Sequence, residues 1–589
     1  MIKINTIELK KFNILYFLLS LPLFLGNMLY GQSDQRGYYD APYVRYEADK
    51  GVLVNAKATA MSFNQSDLQS EASEQVCVDL SSNKASVEWK LKTAADGLVI
   101  RYSVPDSTAG ELDVYANNKL LGTIKLSSHY SWEYLWKDGN SNNSGVINTN
   151  PKMRFDETRM KLSAKIPAGG KLKLVAKSGK IHVDFVELEL IAPMVTAAIG
   201  DMTYSGDGSD LQNFIDQNGG KTIYVPAGFY EMNSELYFGV DNTTLKGAGI
   251  WYTELHFINK KWLKGGLYAN AKDISFTDLY LSTECNSRAN SYKALNGVHT
   301  SKSIVKNIWA EHFECGAWIA QYNKGEVAFA EGFTVSHCRF RNNYADGINL
   351  CKGTKNAIVE HCSFRNNGDD DMAIWSADNM ECQNNTYRYC TSENSWRASG
   401  CAIYGGKNNT AHHLLIRDNI EVGLRVNNAF PGAGFNEEGM HEFSNITIIR
   451  CGTNNDLYYA PVGAIDLGCT DRCGMNVRNV KFSNIDIIDS KNDAICIYRW
   501  GGDKFSNFIF ENITIDGTGK EYPFNDGKNN NANGDRGYGI WFRFKPKGNL
   551  SYCNLVIKNK GGNAKGNLGI SELGTLEWKE FTDCVKPLK

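Results

Sequence analysis

The chain has 589 residues, with 55 Gly, 29 Tyr, 27 Phe and only 12 Pro, and a formal net charge of −2 at pH 7. This length exceeds that of one ordinary domain. The near-neutral charge excludes a strongly basic surface for nucleic acid and disfavours an acidic polymer such as pectin as substrate. The glycine and aromatic content is typical of a turn-rich, all-β protein.

Residues 1–31 have the pattern of a signal peptide. Lys3, Lys10 and Lys11 form a basic start, and an apolar run from Phe12 to Leu25 leads to a cleavage site after Gly31. A transmembrane anchor is the alternative, but the run is short and no second apolar span follows. The pattern predicts export, with a secreted or periplasmic protein and no membrane span.

Residues 38–192 are predicted to form a β-sandwich. Short alternating strands recur, for example in residues 85–91, 97–103 and 170–176, and turn signals separate them. Three segments of this region resemble a carbohydrate-binding module of families 6 and 35: Val44-Arg-Tyr-Glu-Ala-Asp49, the pair 100–103 and 110–118, and Ile181-His-Val-Asp-Phe-Val-Glu187. The resemblance implies a structural Ca²⁺ held by Glu47 and Asp184, with Asp49 as a further candidate.

An aromatic-rich insertion interrupts this region at Tyr130-Ser-Trp132-Glu-Tyr134-Leu-Trp136. Exposed aromatic faces suit the C–H surfaces of sugars, and indole and phenol groups also offer hydrogen bonds. A hydrophobic plug between a sheet and a loop is an equally good interpretation.

From residue 200 the pattern changes to that of a solenoid. Residues 205–216 predict a short helix with Ser209 or Asp210 near its N-cap. The following segment, Thr222-Ile-Tyr-Val-Pro-Ala-Gly-Phe-Tyr-Glu-Met232, resembles the N-terminal cap of pectate-lyase-like right-handed β-helices. A solenoid needs such a cap because an open end exposes its core and strand edges.

A 24-residue repeat lies in the middle of the chain. Val335-x-x-Cys338-x-Phe340-Arg341-Asn342-Asn343 recurs as Val359-x-x-Cys362-x-Phe364-Arg365-Asn366-Asn367, an offset of 359 − 335 = 24. Such a period predicts stacked coils of a parallel β-helix, so residues 200–589 are predicted to be one β-helix domain. Its later coils show Phe443-Ser-Asn-Ile, Phe482-Ser-Asn-Ile and Phe505-Ser-Asn-Phe, in which Asn tolerates the left-handed turn. Residues 575–589 are predicted to be a closing cap or tail.

The fifteen cysteines are an odd number for an exported chain, so at least one thiol is free. Cys338, Cys362 and Cys390 occupy equivalent positions and are predicted to form a buried column of small apolar side chains. Cys469 and Cys473 are better candidates for a disulfide. Neither set has the spacing of a zinc site.

The same repeat brings three carboxylates together. The offset of 24 places Asp346 opposite Asp370, with Asp369 next to it. Glycoside hydrolysis needs one carboxylic acid to protonate the leaving oxygen and one carboxylate on the other face. We assign Asp369 as the acid, with a proton affinity raised by its neighbours, and Asp346 with Asp370 as the pair that activates water. A calcium site or a solvated turn is the alternative.

Three motifs resemble glycoside hydrolase family 87: Tyr344-Ala-Asp-Gly-Ile-Asn349, Gly368-Asp-Asp-Asp-Met-Ala-Ile-Trp375 and Trp396-Arg-Ala-Ser-Gly-Cys-Ala-Ile-Tyr-Gly-Gly-Lys-Asn-Asn409. That family contains inverting α-1,3-glucanases and mycodextranases, and the resemblance places its catalytic aspartates at Asp346, Asp369 and Asp370. Asp371 stands where a small residue is expected, so its role is open. The sequence also resembles polygalacturonases more distantly, but it has no clear counterpart of the elements with which those enzymes bind the uronate.

Around the carboxylates, Trp375, Trp396 and Tyr404 are candidate sugar platforms. Arg397 and Lys407 are candidate partners of sugar hydroxyls, and Arg425 is a candidate for orienting an aspartate. The prediction is an exported, monomeric, endo-type α-glucan hydrolase that needs no cofactor for catalysis. The alternatives are a β-helix hydrolase of another polysaccharide, such as dextran, and a non-catalytic β-helix that binds glycans.

Overall fold

The computed structural model describes residues 41–134, 151–258, 264–320, 330–455, 460–471, 476–502, 504–521, 536–562, 569–570 and 575–584. The predicted signal peptide and Cys473 lie outside these residues. None of the helices in the described ranges has the length and hydropathy of a membrane span.

Residues 43–189 form a sandwich of two antiparallel sheets. Its strands are β1 (Tyr43–Glu47), β2 (Val52–Val54), β3 (Lys57–Ala58), β4 (Val78–Asp79), β5 (Ser86–Lys90), β6 (Ala95–Ser103), β7 (Ala109–Ala116), β8 (Lys119–Ser127), β9 (Asp156–Ile166), β10 (Lys171–Ser178) and β11 (His182–Glu189), with 3₁₀ turns at Ala48–Lys50, Leu68–Glu71 and Ser73–Gln75. One sheet has the order β3-β4-β11-β6-β9 with β1 beside β11, and the other has the order β2-β5-β10-β7-β8. Alternate residues such as Leu172 and Leu174 of β10 are buried between the sheets.

The rest of the described chain is a parallel β-helix that begins with one short helix, α1 (Leu211–Gln217). The strands of its first part are β12 (Met202–Thr203), β13 (Thr222–Tyr224), β14 (Gly228–Met232), β15 (Leu236–Phe238), β16 (Thr244–Lys246), β17 (Thr253–Phe257), β18 (Leu267–Ala269), β19 (Ser275–Thr283), β20 (Lys293–Gly297), β21 (Ile304–Glu311), β22 (Cys315–Ile319), β23 (Thr334–Ser336), β24 (Arg339–Arg341), β25 (Ile348–Cys351), β26 (Ile358–Glu360), β27 (Ser363–Arg365) and β28 (Met372–Trp375). Those of its second part are β29 (Thr386–Arg388), β30 (Thr391–Glu393), β31 (Ser399–Tyr404), β32 (Thr410–His412), β33 (Leu415–Arg417), β34 (Val422–Asn427), β35 (His441–Ile449), β36 (Asn454–Asn455), β37 (Ala460–Pro461), β38 (Ile465–Thr470), β39 (Val477–Ile488), β40 (Ile495–Trp500), β41 (Phe505–Asp516), β42 (Ile540–Arg543), β43 (Lys547–Lys558), β44 (Gly569–Ile570) and β45 (Thr575–Glu580).

Apart from β36 and β37, which form a separate antiparallel pair, these strands stack into a 20-stranded sheet that runs from β12 to β45 and a 12-stranded sheet that runs from β15 to β44. The pairings are parallel, and Val335 lies opposite Val359 while Phe340 lies opposite Phe364. The predicted 24-residue register and the all-β fold class, a sandwich followed by a parallel β-helix, are therefore confirmed.

Repeated side chains form columns inside the coils. The rings of Phe340 and Phe364 stack with centroids 5.5 Å apart. The predicted cysteine column is confirmed, since Cys338, Cys362 and Cys390 are buried and outside any disulfide. The turn asparagines adopt the left-handed conformation, with φ of 54° at Asn342 and 56° at Asn366.

The later coils differ from the prediction in two ways. Phe482 stacks on Phe510, 5.1 Å away, and not on Phe505, because the long strand β41 carries further phenylalanines and its register places Phe510 opposite Phe482. Residues 575–580, predicted to be a cap or tail, extend the 20-stranded sheet as β45. A disulfide between Cys553 and Cys584, which the sequence analysis missed, fastens this last strand.

The sandwich docks on the β-helix through buried ion pairs. Arg341 and Arg365, which occupy the same repeat position on neighbouring coils, both reach Glu187 of β11, at 3.2 and 2.6 Å. Arg45 of β1 reaches Glu393 of β30 at 2.7 Å. Because buried charges are stable only when they are paired, these contacts fix the sandwich in one position on the coils.

Candidate active site

Three carboxylates converge at the turn that precedes β25 and β28. Ile348 lies opposite Met372 in the parallel register, so Asp346 and Asp370 occupy the same position on adjacent coils. Oxygen atoms of Asp346, Asp369 and Asp370 all lie within 4.8 Å of one another. The predicted juxtaposition is present.

Asp346 and Asp370 are nearly inaccessible to solvent, with 6% and 5% exposure. Burial, followed by the charges of Asp369 and Asp370, holds the pKa of Asp346 well above its usual range. Burial and the charge of Asp369 raise the pKa of Asp370 to about 6. Asp346 accepts a hydrogen bond from Asn349 at 3.2 Å, and Asp370 accepts one from the Tyr404 hydroxyl at 2.7 Å.

Asp369 has the opposite electrostatic environment. Burial alone would raise its pKa, but the guanidinium groups of Arg288 and Arg397 outweigh burial and leave the pKa below its usual value. Arg288 pairs directly with the carboxylate, and Arg397 lies 4.0 Å from it. The expectation that the neighbouring carboxylates raise the proton affinity of Asp369 is therefore wrong for the substrate-free protein.

Sequence reasoning missed Arg288. It lies in an irregular segment between β19 and β20, and its guanidinium also donates to the carbonyl oxygens of Tyr344 at 3.0 Å and Gly368 at 3.2 Å. It therefore spans both coils that carry the carboxylates. No motif or repeat position marked it, because its partners lie 56 and 80 residues further along the chain.

Asp371, whose role the sequence left open, points into the coil interior. It is fully buried and accepts hydrogen bonds from Ser392, from Ser395 at 2.6 Å and from Asn367 at 2.7 Å. Burial raises its pKa to about 7. These contacts show that Asp371 stabilises the turn from the coil interior and does not line the cleft.

The candidate sugar platforms have different environments. Trp396 is 1% exposed and belongs to the core of the β-helix, so its assignment as a platform is wrong. Trp375 is partly exposed, and its ring lies edge-on to Trp318 at 5.7 Å and to Phe430 at 5.6 Å. Tyr404 is buried and directs its hydroxyl to Asp370.

The candidate basic residues lie at different distances from the carboxylates. Arg397 faces Asp369, as described above. Arg425 lies 3.5 Å from Asp466, and its charge also lowers the pKa of Asp370, in keeping with a role in orienting an aspartate. Lys407 pairs with Glu438 at 2.8 Å, so its ammonium group is engaged outside the carboxylate cluster.

Family models match most of the chain. Residues 40–191 match the α-1,3-glucanase catalytic domain D1, and residues 203–518 match the α-1,3-glucanase catalytic domain D2. The crystal structure of the Agl-KA catalytic domain is 32% identical, with a TM-score of 0.83, and the similarity covers 92% of this chain and 98% of that one. The chain belongs to glycoside hydrolase family 87.

Further family 87 structures share the fold of this glycoside hydrolase. The catalytic unit of the α-1,3-glucanase from Streptomyces thermodiastaticus strain HF3-3 is 23% identical, with a TM-score of 0.73 and coverage of 93% and 98%. A catalytic domain in complex with nigerose is also 23% identical, with a TM-score of 0.76 and coverage of 93% and 99%. No curated protein matches the chain.

Some of these structures are of variants with an aspartate replaced by alanine, in complex with nigerose or tetrasaccharides. The three substituted positions follow one another at spacings of 23 and 1 residues.

The sandwich of this family 87 hydrolase is the region that the D1 model matches, over residues 40–191. The resemblance of residues 38–192 to a carbohydrate-binding module stays a prediction. The contacts of the proposed calcium ligands do not favour a metal. Asp184 already accepts hydrogen bonds from Arg101 and from the amide of Ser73, and Glu47 accepts one from the Ser73 hydroxyl. A guanidinium thus occupies the position where Ca²⁺ would need an oxygen-lined site.

The aromatic insertion is packed between the sandwich and the β-helix over its described part. Tyr130 stacks on His312 with centroids 3.7 Å apart, and the Trp132 indole donates to the carbonyl of Val104 at 2.8 Å. The Tyr134 hydroxyl donates to Asp106 at 2.8 Å. These contacts favour the interpretation as a plug; Leu135 and Trp136 lie outside the described residues.

Proposed function

We propose that this family 87 hydrolase cleaves α-1,3-glucan or a nigeran-type α-glucan, with Asp346, Asp369 and Asp370 as its catalytic residues. The observation that carries the proposal is the convergence of three carboxylates within 4.8 Å on adjacent coils. The spacing of Asp346, Asp369 and Asp370, 23 residues and then 1, equals the spacing of the aspartates substituted in the saccharide-bound relatives.

The electrostatics of the site separate the three carboxyl groups. Burial and the neighbouring carboxylates raise the pKa of Asp346, whereas Arg288 and Arg397 lower the pKa of Asp369. For Asp369 to act as the acid, bound substrate has to weaken its pairing with Arg288, so that the proton favoured by Asp346 moves to Asp369. Asp369 then protonates the glycosidic oxygen, and Asp346 and Asp370, both ionised, activate the attacking water.

Inversion follows from the presence of the third carboxylate, because two carboxylates at equal coil positions can hold one water between them. The short distances within the carboxylate cluster favour a second candidate mechanism, which retains the anomeric configuration. Inverting pairs usually stand ~6.5–9.5 Å apart and retaining pairs ~5–5.5 Å apart. A retaining mechanism would use one aspartate as nucleophile. NMR of the first-formed anomer separates the two: an α-linked substrate releases the β-anomer in an inverting reaction and the α-anomer in a retaining one.

The cluster could also bind a divalent cation, since its oxygen atoms are close enough. Arg288 and Arg397 already supply positive charge to Asp369. We therefore propose that the hydrolysis needs no metal ion and that EDTA does not inhibit it. We also propose export of the protein, on the pattern of residues 1–31 and the family's extracellular substrate.

The test compares sugar release from insoluble α-1,3-glucan, nigeran, dextran and polygalacturonate by the purified protein. Asp369→Asn is expected to lower kcat on α-1,3-glucan by about 10²–10⁴, the usual contribution of a general acid. Asp378→Asn, which changes an aspartate whose side chain is 60% exposed, is the control. Full activity of Asp369→Asn, or release from dextran or polygalacturonate alone, would sink the assignment. Binding of glucan without release by the wild type would favour the non-catalytic alternative.

A further inference from the structure

The guanidinium that pairs with Asp369 belongs to Arg288, which lies in a segment without regular secondary structure. Arg288 lies between β19 and β20, and its side chain is largely buried, with 20% exposure. An ion pair in such a place needs its main chain held in position, because a displacement of 1 Å would separate the guanidinium from the carboxylate. Hydrogen bonds within the segment hold Ser287 and Ala289, but the main-chain amide of Arg288 donates to a residue outside the β-helix.

The support comes from the sandwich. One oxygen of Glu133 accepts hydrogen bonds from the Ser287 hydroxyl at 3.1 Å and from the Arg288 amide at 3.2 Å. Glu133 is itself 5% exposed. Its main chain is fixed by a pair of hydrogen bonds with Lys152, both of 2.9 Å.

A second contact of the same segment reaches the coil that carries Asp346. The Tyr344 hydroxyl donates to the carbonyl oxygen of Tyr130 at 2.8 Å, and the carbonyl of Tyr344 accepts from Arg288. Residues 130–133 of the sandwich thus contact Arg288 from one side and the turn of Asp346 from the other. These hydrogen bonds are partly buried, so they limit the access of water to the segment of Arg288.

We propose that Glu133 is a positioning residue for the catalytic carboxylates: it fixes the main chain of Arg288 and thereby the guanidinium on Asp369. The proposal rests on the proposed function of that carboxylate cluster. It gives the sandwich a part in the reaction itself, without any contact between the sandwich and the reacting atoms.

The test uses Glu133→Ala, Glu133→Gln and the control Asp106→Ala, which removes a contact of Tyr134 within the sandwich. Glu133→Ala is expected to lower kcat about tenfold or more, because Arg288 also binds the carbonyl oxygens of Tyr344 and Gly368, and its displacement shifts both turns that carry the carboxylates. It is also expected to move the pH profile of kcat on a soluble α-1,3-linked oligosaccharide to higher pH. The reason is that an Arg288 guanidinium held less firmly on Asp369 lets the pKa of Asp369 rise. Glu133→Gln keeps an acceptor oxygen and retains the wild-type profile, as does Asp106→Ala.

Two further measurements separate positioning from a merely structural role. In an Arg288→Gln background, Glu133→Ala should cause no additional loss, because the two residues act through one contact. Hydrogen exchange of residues 284–292 should increase in Glu133→Ala while that of residues 337–365 does not. Additive losses, an unshifted pH profile or unchanged exchange would overturn the inference. A wild type without glucanase activity would instead refute the proposed function, while the exchange measurement still decides the positioning.

Discussion

The two adjacent residues Asp370 and Asp371 should respond in opposite ways to replacement by asparagine. Asp371 is fully buried with a pKa of about 7, against about 3.9 for an exposed aspartate. A group whose pKa is higher in the folded than in the unfolded state adds to the free energy of unfolding at low pH. That contribution is lost as the pH rises from about 4 through 7.

The size of the loss follows from the same pKa. The difference between a pKa of about 7 and about 3.9 corresponds to about 4 kcal/mol of unfolding free energy. Asp371→Asn cannot ionise. Its amide oxygen can still accept from Asn367, and the hydroxyls of Ser392 and Ser395 can rotate to accept from its amide nitrogen. The variant should therefore lack the loss that the wild type suffers between pH ~4 and ~7, and at pH 8 it should be up to about 4 kcal/mol more stable than the wild type.

Denaturant unfolding at pH 5 and pH 8 measures this effect, with activity on α-1,3-glucan recorded in parallel. Asp371→Asn should keep glucanase activity of the wild-type order, because its side chain is directed away from the cleft. Asp370→Asn should lose that activity. A variant of Asp371 that shows the wild-type difference between pH 5 and pH 8 would refute the reasoning, as would one as inactive as Asp370→Asn.

Two further substitutions test the docking of the sandwich and the acid sensitivity of the core. Arg365→Met removes the ion pairs of Arg365 with Glu157, Glu187 and Glu393 but leaves Glu187 its pairs with Arg45 and Arg341, so it should destabilise the protein by up to about 3–5 kcal/mol. Thermal unfolding and limited proteolysis measure the loss, and a variant as stable as the wild type would contradict the role of these pairs in docking. Burial lowers the pKa of His299 to about 4, so the wild type should lose about 3 kcal/mol as the pH falls from 6.5 to 4. His299→Leu should lose correspondingly less over this range, and an identical acid profile in the two proteins would contradict the assignment.

Local periodicity explains which parts of the fold were predictable. Inward apolar residues recur at fixed coil positions, so the alignment of Val335 with Val359 sets the register of every residue between them. The convergence of Asp346 and Asp370 followed directly. The later column shows the limit of this reasoning: its phenylalanine is Phe510 and not the predicted Phe505, because the 12-residue strand β41 contains three phenylalanines.

The remaining features depend on contacts that no sequence period records. The low pKa of Asp369 comes from Arg288, which lies 81 residues before it in an irregular segment. Trp396 was assigned to the cleft because tryptophan is common in sugar sites, whereas the bend of the chain at this turn directs its ring into the core. The pairing of Cys553 with Cys584 joins a strand to a segment that had the appearance of a tail.

The coil repeat links the site to the sandwich. The offset of 24 that places Asp346 beside Asp370 also places Arg341 beside Arg365, on the face where both reach Glu187. A one-residue insertion between the two copies would therefore disturb the carboxylate cluster and the docking of the sandwich together. Because the docked sandwich in turn carries Glu133 to the segment of Arg288, the hydrogen bonds around the carboxylate cluster are complete only when both parts of the chain are folded against each other. Under the proposed function, the regions that match the D1 and D2 models therefore depend on each other for activity.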